Sequence, residues 1–195
     1  TRPEFLAHPR LRRTSALTHY ATAAALEALA KVPAWRDDAF RLGLVVSLQT
    51  GCVDYCCRFY GETLKEPTTA SPLLFPETVF AAPASHVATL LGNVTLVYTL
   101  LGDPAAFLQA AALGVQWLEA KRVDARLIIG AEATHWILAD ALWHLERPAV
   151  ISGGAGALCL TCDARRSAGV QLAAISDPHT YSAQQARTQA ARARL

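Results

Sequence analysis

The chain of 195 residues contains no methionine. Translation starts on that residue, so Thr1 is expected not to be the true start, with further residues upstream. The chain also lacks a surplus of charge: 18 Lys and Arg stand against 16 Asp and Glu, a formal +2. Holding a phosphate backbone needs a clear positive excess, so nucleic-acid binding is excluded as its main work. No uninterrupted apolar stretch reaches the roughly 18 residues of a membrane span; the nearest, 94–101, is strand length. The Arg-bearing start, 1–13, has no apolar core behind it and is not a signal peptide. Cysteines are few and odd in number, five, and sit among apolar residues. A disulfide scaffold is therefore excluded, and a cytoplasmic protein with reduced thiols is expected. There is no G-x-S-x-G elbow and no Walker loop, so spacing alone forces no enzymatic reading.

What is present is apolar: 52% hydrophobic and only 17% charged residues. Such a chain folds, and its length suits one domain or one half of a larger duplicated one. Residues 17–30 are rich in Ala and Leu and read as helix, stopped by Pro33. The run RLGLVVSL (41–48) reads as a strand buried on both faces. Residues 52–64 read as helix, and 65–82, with Pro67, Pro72 and Pro76, as irregular. Pro83 suits the first turn of a helix running to 91. VTLVYTLL (94–101) is the best strand in the chain. Gly102, Asp103 and Pro104 read as turn, N-cap and first residue of a helix to about 120. DARLIIG (124–130) reads as a buried strand and 132–145 as helix. A strand is expected at 157–161, with 171–175 pairing beside it, and an Ala- and Arg-rich helix from 182 to the end. Strands alternating with crossover helices imply an α/β fold in one layered unit, with a mostly parallel mixed sheet.

Several clusters invite a chemical reading. Cys159 and Cys162 form a C-x-x-C, which can chelate or cycle redox on a helix or loop. Read as lying in a strand, their sulfurs point to opposite faces, so a structural role is expected. Cys52 and Cys56 would share a helical face beside Cys57, but a zinc site needs about four ligands and no histidine lies nearby in sequence. Asp140 and His144 share a helical face, while His135 lies well around the helix. Solvated or capping histidines are expected, with Trp136 and Trp143 as core or interface anchors. GGAG (153–156) lacks what a phosphate-cradling dinucleotide loop needs: a strand follows instead of a helix, and Cys159 stands where a third glycine belongs. A tight turn is expected there. The C-terminal arginines read as a solvated face. No metal or cofactor is expected.

Three stretches, in this order and spacing, resemble the N-terminal half of the β-ketoacyl synthases, the condensing enzymes of fatty acid and polyketide synthesis. They are SPLLFPET (71–78) followed by AAPASHVA (81–88), then DARLIIGAE (124–132), then SGGAGALCL (152–160). LRRTS (11–15) before the first helix also fits, and the likeness covers about residues 11–175. The resemblance implies a thiolase-like fold, an α/β/α layered half of a chain roughly twice as long, with residues 1–195 forming a single N-terminal-like domain.

In that family a nucleophilic cysteine caps the helix after the third strand, and two catalytic histidines come from the second half. Here the junction reads LLGDPAAF (100–107). Ungapped, Pro104 takes the nucleophile's position; in a shifted register, Leu100 does. Neither side chain can attack a thioester, and a thiolate activated at a helix N-terminus is absent. The resemblance therefore implies no catalytic residue, with His86 structural. It points to a chain length factor of the short type, the non-catalytic mate of a complete ketosynthase in type II polyketide and aryl polyene systems. Its implied partners are that ketosynthase and an acyl carrier protein, with a homodimer possible in isolation. The implied dimer interface is Val94, Leu96, Val97, Tyr98 and Leu100, and the implied acyl tunnel is Thr50, Leu74 and Phe107. A stand-alone acyl- or carrier-protein-binding module is the other reading.

Overall fold

A computed structural model of the protein describes residues 3–103, 105–145, 151–163, 170–175 and 193. Among the described residues four strands form one sheet: β1 (Leu42–Leu48), β2 (Val94–Leu101), β3 (Ala125–Glu132) and β4 (Gly154–Thr161), in the order β2-β1-β3-β4. β1 pairs in parallel with β2 and with β3, and β4 runs antiparallel beside β3. The sheet is thus mostly parallel and mixed, and the fold is α/β.

Its apolar patterning follows from position. β1 is central and every residue in it is buried, which is why the sequence there is apolar without alternation. One face carries Leu42, Leu44, Val46, Leu127 and Ile129. These pack with Leu17, Ala21, Ala25 and Leu29 of α1 (Ala16–Leu29), and with Ala84 and Val87 of α3 (Ala82–Leu91). Alanine at the contact positions of α1 lets the helix lie close to the sheet. Ser15 caps that helix, its Oγ accepting from the Thr18 N–H at 3.3 Å, a bond worth about 1 kcal/mol. The opposite face, with Val45 and Ile128, packs under Ala110 and Ala111 of α4 (Ala106–Glu119). The layering is α/β/α. The chain moves from β1 to β2 on the α3 side and returns from β2 across β1 to β3 on the α4 side. Right-handed crossovers in opposite directions require those opposite faces.

Arg126 points into the α4 face from β3. It is fully buried, its guanidinium over the Trp117 ring, and its three nitrogens have no hydrogen-bond partner among the described residues. Gly43 and Gly114 make the room: a Cβ on Gly43 would stand 2.8 Å from the Arg126 Cδ, and one on Gly114 3.1 Å from its Cγ.

The structure departs from the sequence reading at several places. α4 starts at Ala106, behind a turn in which the Asp103 carboxylate accepts from the Ala105 N–H; Asp103 is therefore not the N-cap. Pro104, the expected first helical residue, lies outside the described residues. β3 continues to Glu132, and the next helix, α5, is Trp136–Leu145. β4 begins at Gly154, three residues earlier than expected. Residues 171–175 are irregular and add no strand to the sheet; Ile175 packs on the α4-side cluster. Trp136 and Trp143 are both exposed and belong to no core. Most of the C-terminal helix expected from 182 lies outside the described residues.

Candidate functional site

In an open α/β sheet, ligands settle outside the carboxyl ends of the strands, where neighbouring strands send their connections in opposite directions. Here that point lies between β1, which leads out toward β2, and β3, which leads toward β4. A cleft of about 420 Å³ sits there, lined from the end of β1 and the loop after it by Ser47, Leu48 and Gln49, from β3 by Gly130, Ala131 and Glu132, and from the α4 entry by Asp103 and Phe107. Ser152, Gly153 and Gly154 close it from the β4 side.

Glu132 organises this end of the sheet. Its Oε2 accepts from the backbone N–H of Gln49 at 2.9 Å and of Thr50 at 3.2 Å, and its Oε1 accepts from the Thr50 hydroxyl. The last residue of β3 thereby fixes the loop leaving β1. That loop turns at Gly51, whose φ of +69° lies where glycine is favoured; a Cβ there would meet the Phe80 ring at 2.5 Å. The Phe107 ring covers Gly130, 2.9 Å from where a Cβ would be, so only glycine lets the ring reach the cleft floor.

The three expected tunnel residues are therefore not one group. Phe107 lines the cleft; Thr50 meets it through Glu132; Leu74 is half-buried, its N–H donating to the Ser71 carbonyl, and lies outside the cleft lining. Glu132 closes the stretch 124–132, and sequence reasoning gives it no role. The signal that could have found it is an acidic residue ending an otherwise apolar buried strand.

Near the N-terminus of α1 lies a second polar cluster. Glu77 is 5% exposed; its Oε2 accepts from the Ser15 N–H at 3.2 Å and its Oε1 lies 2.6 Å from His86 Nε2. His86 is thus tied to a buried carboxylate beneath the loop 71–81.

The cysteines do not assemble. Cys52 is the buried N-cap residue of α2 (Val53–Lys65), its thiol donating to the Val79 carbonyl at 3.6 Å. Burial, then Cys56, Glu77 and Glu132, push it up to about 12. Cys56 donates to the Thr78 carbonyl at 3.5 Å and is raised by burial and by Cys57. Cys159 lies in β4, pushed up to about 11 by burial. Cys162 lies just past the end of β4 and is exposed, so the C-x-x-C straddles a strand end and does not lie within a strand. Thiols raised in this way are poor nucleophiles at neutral pH. His144 and Asp140 are 3.8 Å apart on exposed helix, whereas His135 faces Asp54 at 3.9 Å.

β2 forms one edge of the sheet. Of the expected interface residues, Val97 and Tyr98 are 44% and 51% exposed, and Val94, Leu96 and Leu100 are half-buried. At the strand's end the junction 100–107 has a hydrocarbon side chain at Leu100, while Pro104 is outside the described residues.

No protein-family model and no curated protein matches the sequence. Solved structures do match. One is a type II PKS acyl-carrier protein in complex with its ketosynthase bound to the hexaketide (AntDE:AntF), with a TM-score of 0.71 at 17% identity over 85% of this chain and 51% of that one. The ishigamide ketosynthase/chain length factor gives 0.67 at 17% identity, over 84% and 48%. The ketosynthase ApeO in complex with its chain length factor ApeC, from Xenorhabdus doucetiae, gives 0.60 at 15% identity, over 83% and 61%. The chain spans about half the length of the first two and three-fifths of the third. Its layered half-sheet is the thiolase-like fold of the ketosynthases and chain length factors.

Proposed function

We propose that the chain is a non-catalytic ketosynthase-like subunit, of chain-length-factor type, that pairs with a complete β-ketoacyl synthase in fatty acid, polyketide or aryl polyene biosynthesis. The observation that carries this reading is the strand β2 together with the junction at its end. An apolar strand sits at the sheet edge and runs into a junction without a thiol, in a fold shared with ketosynthase–chain length factor structures. An exposed apolar edge is a hazard unless another chain pairs with it. The pairing would run through Val94, Leu96, Val97, Tyr98 and Leu100. Phe107, Thr50 and Leu74 would bound the partner's acyl pocket. The growing chain would arrive on an acyl carrier protein in the cytoplasm.

The test is co-expression with each complete β-ketoacyl synthase of the source genome. A stable complex, products whose length changes when Phe107 or Thr50 is resized, and no labelling of residues 100–107 by an acyl or malonyl donor are expected. No complex, or covalent acylation in that junction, overturns the reading.

The cleft at the carboxyl ends of β1 and β3 favours a second reading, a stand-alone module that holds an acyl chain or carrier protein. A stable monomer that binds an acyl carrier protein without any ketosynthase would establish it.

A further inference from the structure

Arg126, the second residue of β3, is fully buried. A buried guanidinium without an acceptor is costly, yet its Nε, Nη1 and Nη2 have no hydrogen-bond partner among the described residues. The room for it is built. A Cβ on Gly43 would stand 2.9 Å from Nη1, and one on Gly114 3.1 Å from Cγ, so glycines on β1 and α4 open the slot. Trp117 lies over the guanidinium, its ring centroid 2.9 Å from the central carbon. Stacking takes the face of that group and leaves its edge, where the N–H donors point. Arg122, just past the helix, adds a second positive charge nearby.

Trp117 belongs to the last turn of α4, and that turn closes at a strained residue. The Lys121 N–H donates to the Leu118 carbonyl at 2.9 Å, and the Arg122 N–H to the Trp117 carbonyl at 3.0 Å. Lys121 has a φ of +54°, where a glycine is usual at a helix end; for a side chain with a Cβ this costs about 1–2 kcal/mol. A cleft of about 600 Å³ lies against the same turn. Leu118 and Lys121 line it, with Arg41 and Asp124 at the strand starts, and with Asp37 and Asp163. The Asp124 carboxylate, two residues before Arg126, is engaged by the Arg41 backbone N–H and guanidinium at 2.8–3.2 Å.

We infer that Arg126 is an anion site, entered from this cleft as the last turn of α4 opens, and that it takes the carboxylate of a small monocarboxylic acid. The edge of a guanidinium matches the planar, two-oxygen shape of a carboxylate. One negative charge neutralises one buried positive charge. A phosphate dianion would leave charge uncompensated in a site of low dielectric, and on its way in would meet the carboxylates of Asp37, Asp124 and Asp163. The cleft has the volume of a small-molecule site. It stands at the opposite end of β3 from Glu132, so it is separate from the cleft beside Phe107 and does not rest on pairing with a ketosynthase.

The experiment follows thermal unfolding of the full chain in sodium acetate against sodium chloride of equal ionic strength, for wild type and Arg126→Met. The variant is expected to fold, since an apolar side chain replaces the unpartnered charge. At ten times the dissociation constant, acetate is expected to raise the wild-type midpoint by about 3–6 °C and to leave that of Arg126→Met at its chloride value. The Arg126 Nε–H NMR signal, identified by its absence from Arg126→Lys, should move in wild type with the same saturation. Inorganic phosphate should act more weakly on both readouts. No saturable rise in wild type, or an equal rise in Arg126→Met, overturns the site. Should Arg126→Met fail to fold, an Nε–H signal unmoved by acetate overturns it alone. A larger effect of phosphate than of acetate overturns the carboxylate assignment.

Discussion

The Thr50 hydroxyl and the Glu132 carboxylate join the loop after β1 to the last residue of β3, 82 residues apart in sequence, and the same carboxylate takes the backbone N–H groups of Gln49 and Thr50. One side chain thus closes the β1 and β3 ends against each other and shapes the floor of the cleft. Glu132→Ala leaves those donors without their acceptor. A loss of about 1–3 kcal/mol is expected, read as a lower urea midpoint with unchanged m-value. Glu132→Gln retains one acceptor oxygen and falls between.

Glu77 does similar work at the start of α1. Glu77→Ala removes the acceptor of the Ser15 N–H and the partner of His86, and leaves a buried donor at the start of α1. A destabilisation of about 1–3 kcal/mol is expected, larger than that of His86→Ala, because His86 is the less buried of the two. Urea denaturation of the two variants side by side tests the order.

These contacts also show how far the sequence can be read. β1 and β3 are legible because a strand covered on both faces needs continuous apolar residues. Val94–Leu101 is legible as a strand for its β-branched and aromatic content. Its place at the edge is not, since edge and centre differ in what neighbours them and hardly in local pattern. Glu132 reads locally as helix because glutamate favours helices; the donors it accepts from, Gln49 and Thr50, lie far away in sequence. Asp103 before Pro104 has the pattern of an N-cap, and the structure uses its carboxylate ahead of the helix, on the Ala105 N–H. Nothing local tells Cys159, in a strand, from Cys162, just beyond it. The resemblance names Phe107 and Thr50 for an acyl tunnel; the structure places Phe107 in the cleft lining and Thr50 against Glu132. The cleft around them depends on the opposite turning of β1 and β3, which belongs to topology.

Arg126 gives a prediction of the opposite sign. A buried guanidinium with no acceptor among the described residues is a cost carried by the fold, softened by the Trp117 ring. Burial, with Arg122 nearby, pushes it down to about 9 from 12.5. The unfolded chain therefore binds this proton more tightly than the folded one. The penalty is fully present below pH 9 and is relieved as pH rises from about 9 toward 12.5. Arg126→Met should stabilise the protein by about 1–4 kcal/mol at pH 7, and by less at about pH 10. Gly43→Ala should destabilise wild type, where the new Cβ meets the Arg126 stem, and much less so in an Arg126→Ala background, which lacks the atoms it would meet. Paired urea curves at the two pH values decide both points.

Thiol chemistry should track burial. Cys52 and Cys159, at about 12 and about 11, hold almost no thiolate near neutral pH, whereas Cys162 is open to solvent. Iodoacetamide is expected to modify Cys162 first, with Cys52 and Cys159 reacting only as the chain unfolds or as pH climbs past about 10. Peptide mass spectrometry over a time course reads the order directly. Early modification of Cys52 would mean a thiol more exposed and more acidic than its contact with the Val79 carbonyl allows.

The β2 edge can be tested without any partner. A lysine on an edge strand blocks further strand pairing while leaving the existing ladder in place. Val97 is 44% exposed and pairs inward with Leu44 of β1, so Val97→Lys keeps its backbone bonds and extends its ammonium into solvent. The melting midpoint should move little, consistent with a surface change of about 0.5 kcal/mol or less. If the edge drives association, wild type sediments as a dimer at micromolar concentration and Val97→Lys as a monomer. A variant that remains dimeric with an unchanged dissociation constant would place the contact elsewhere.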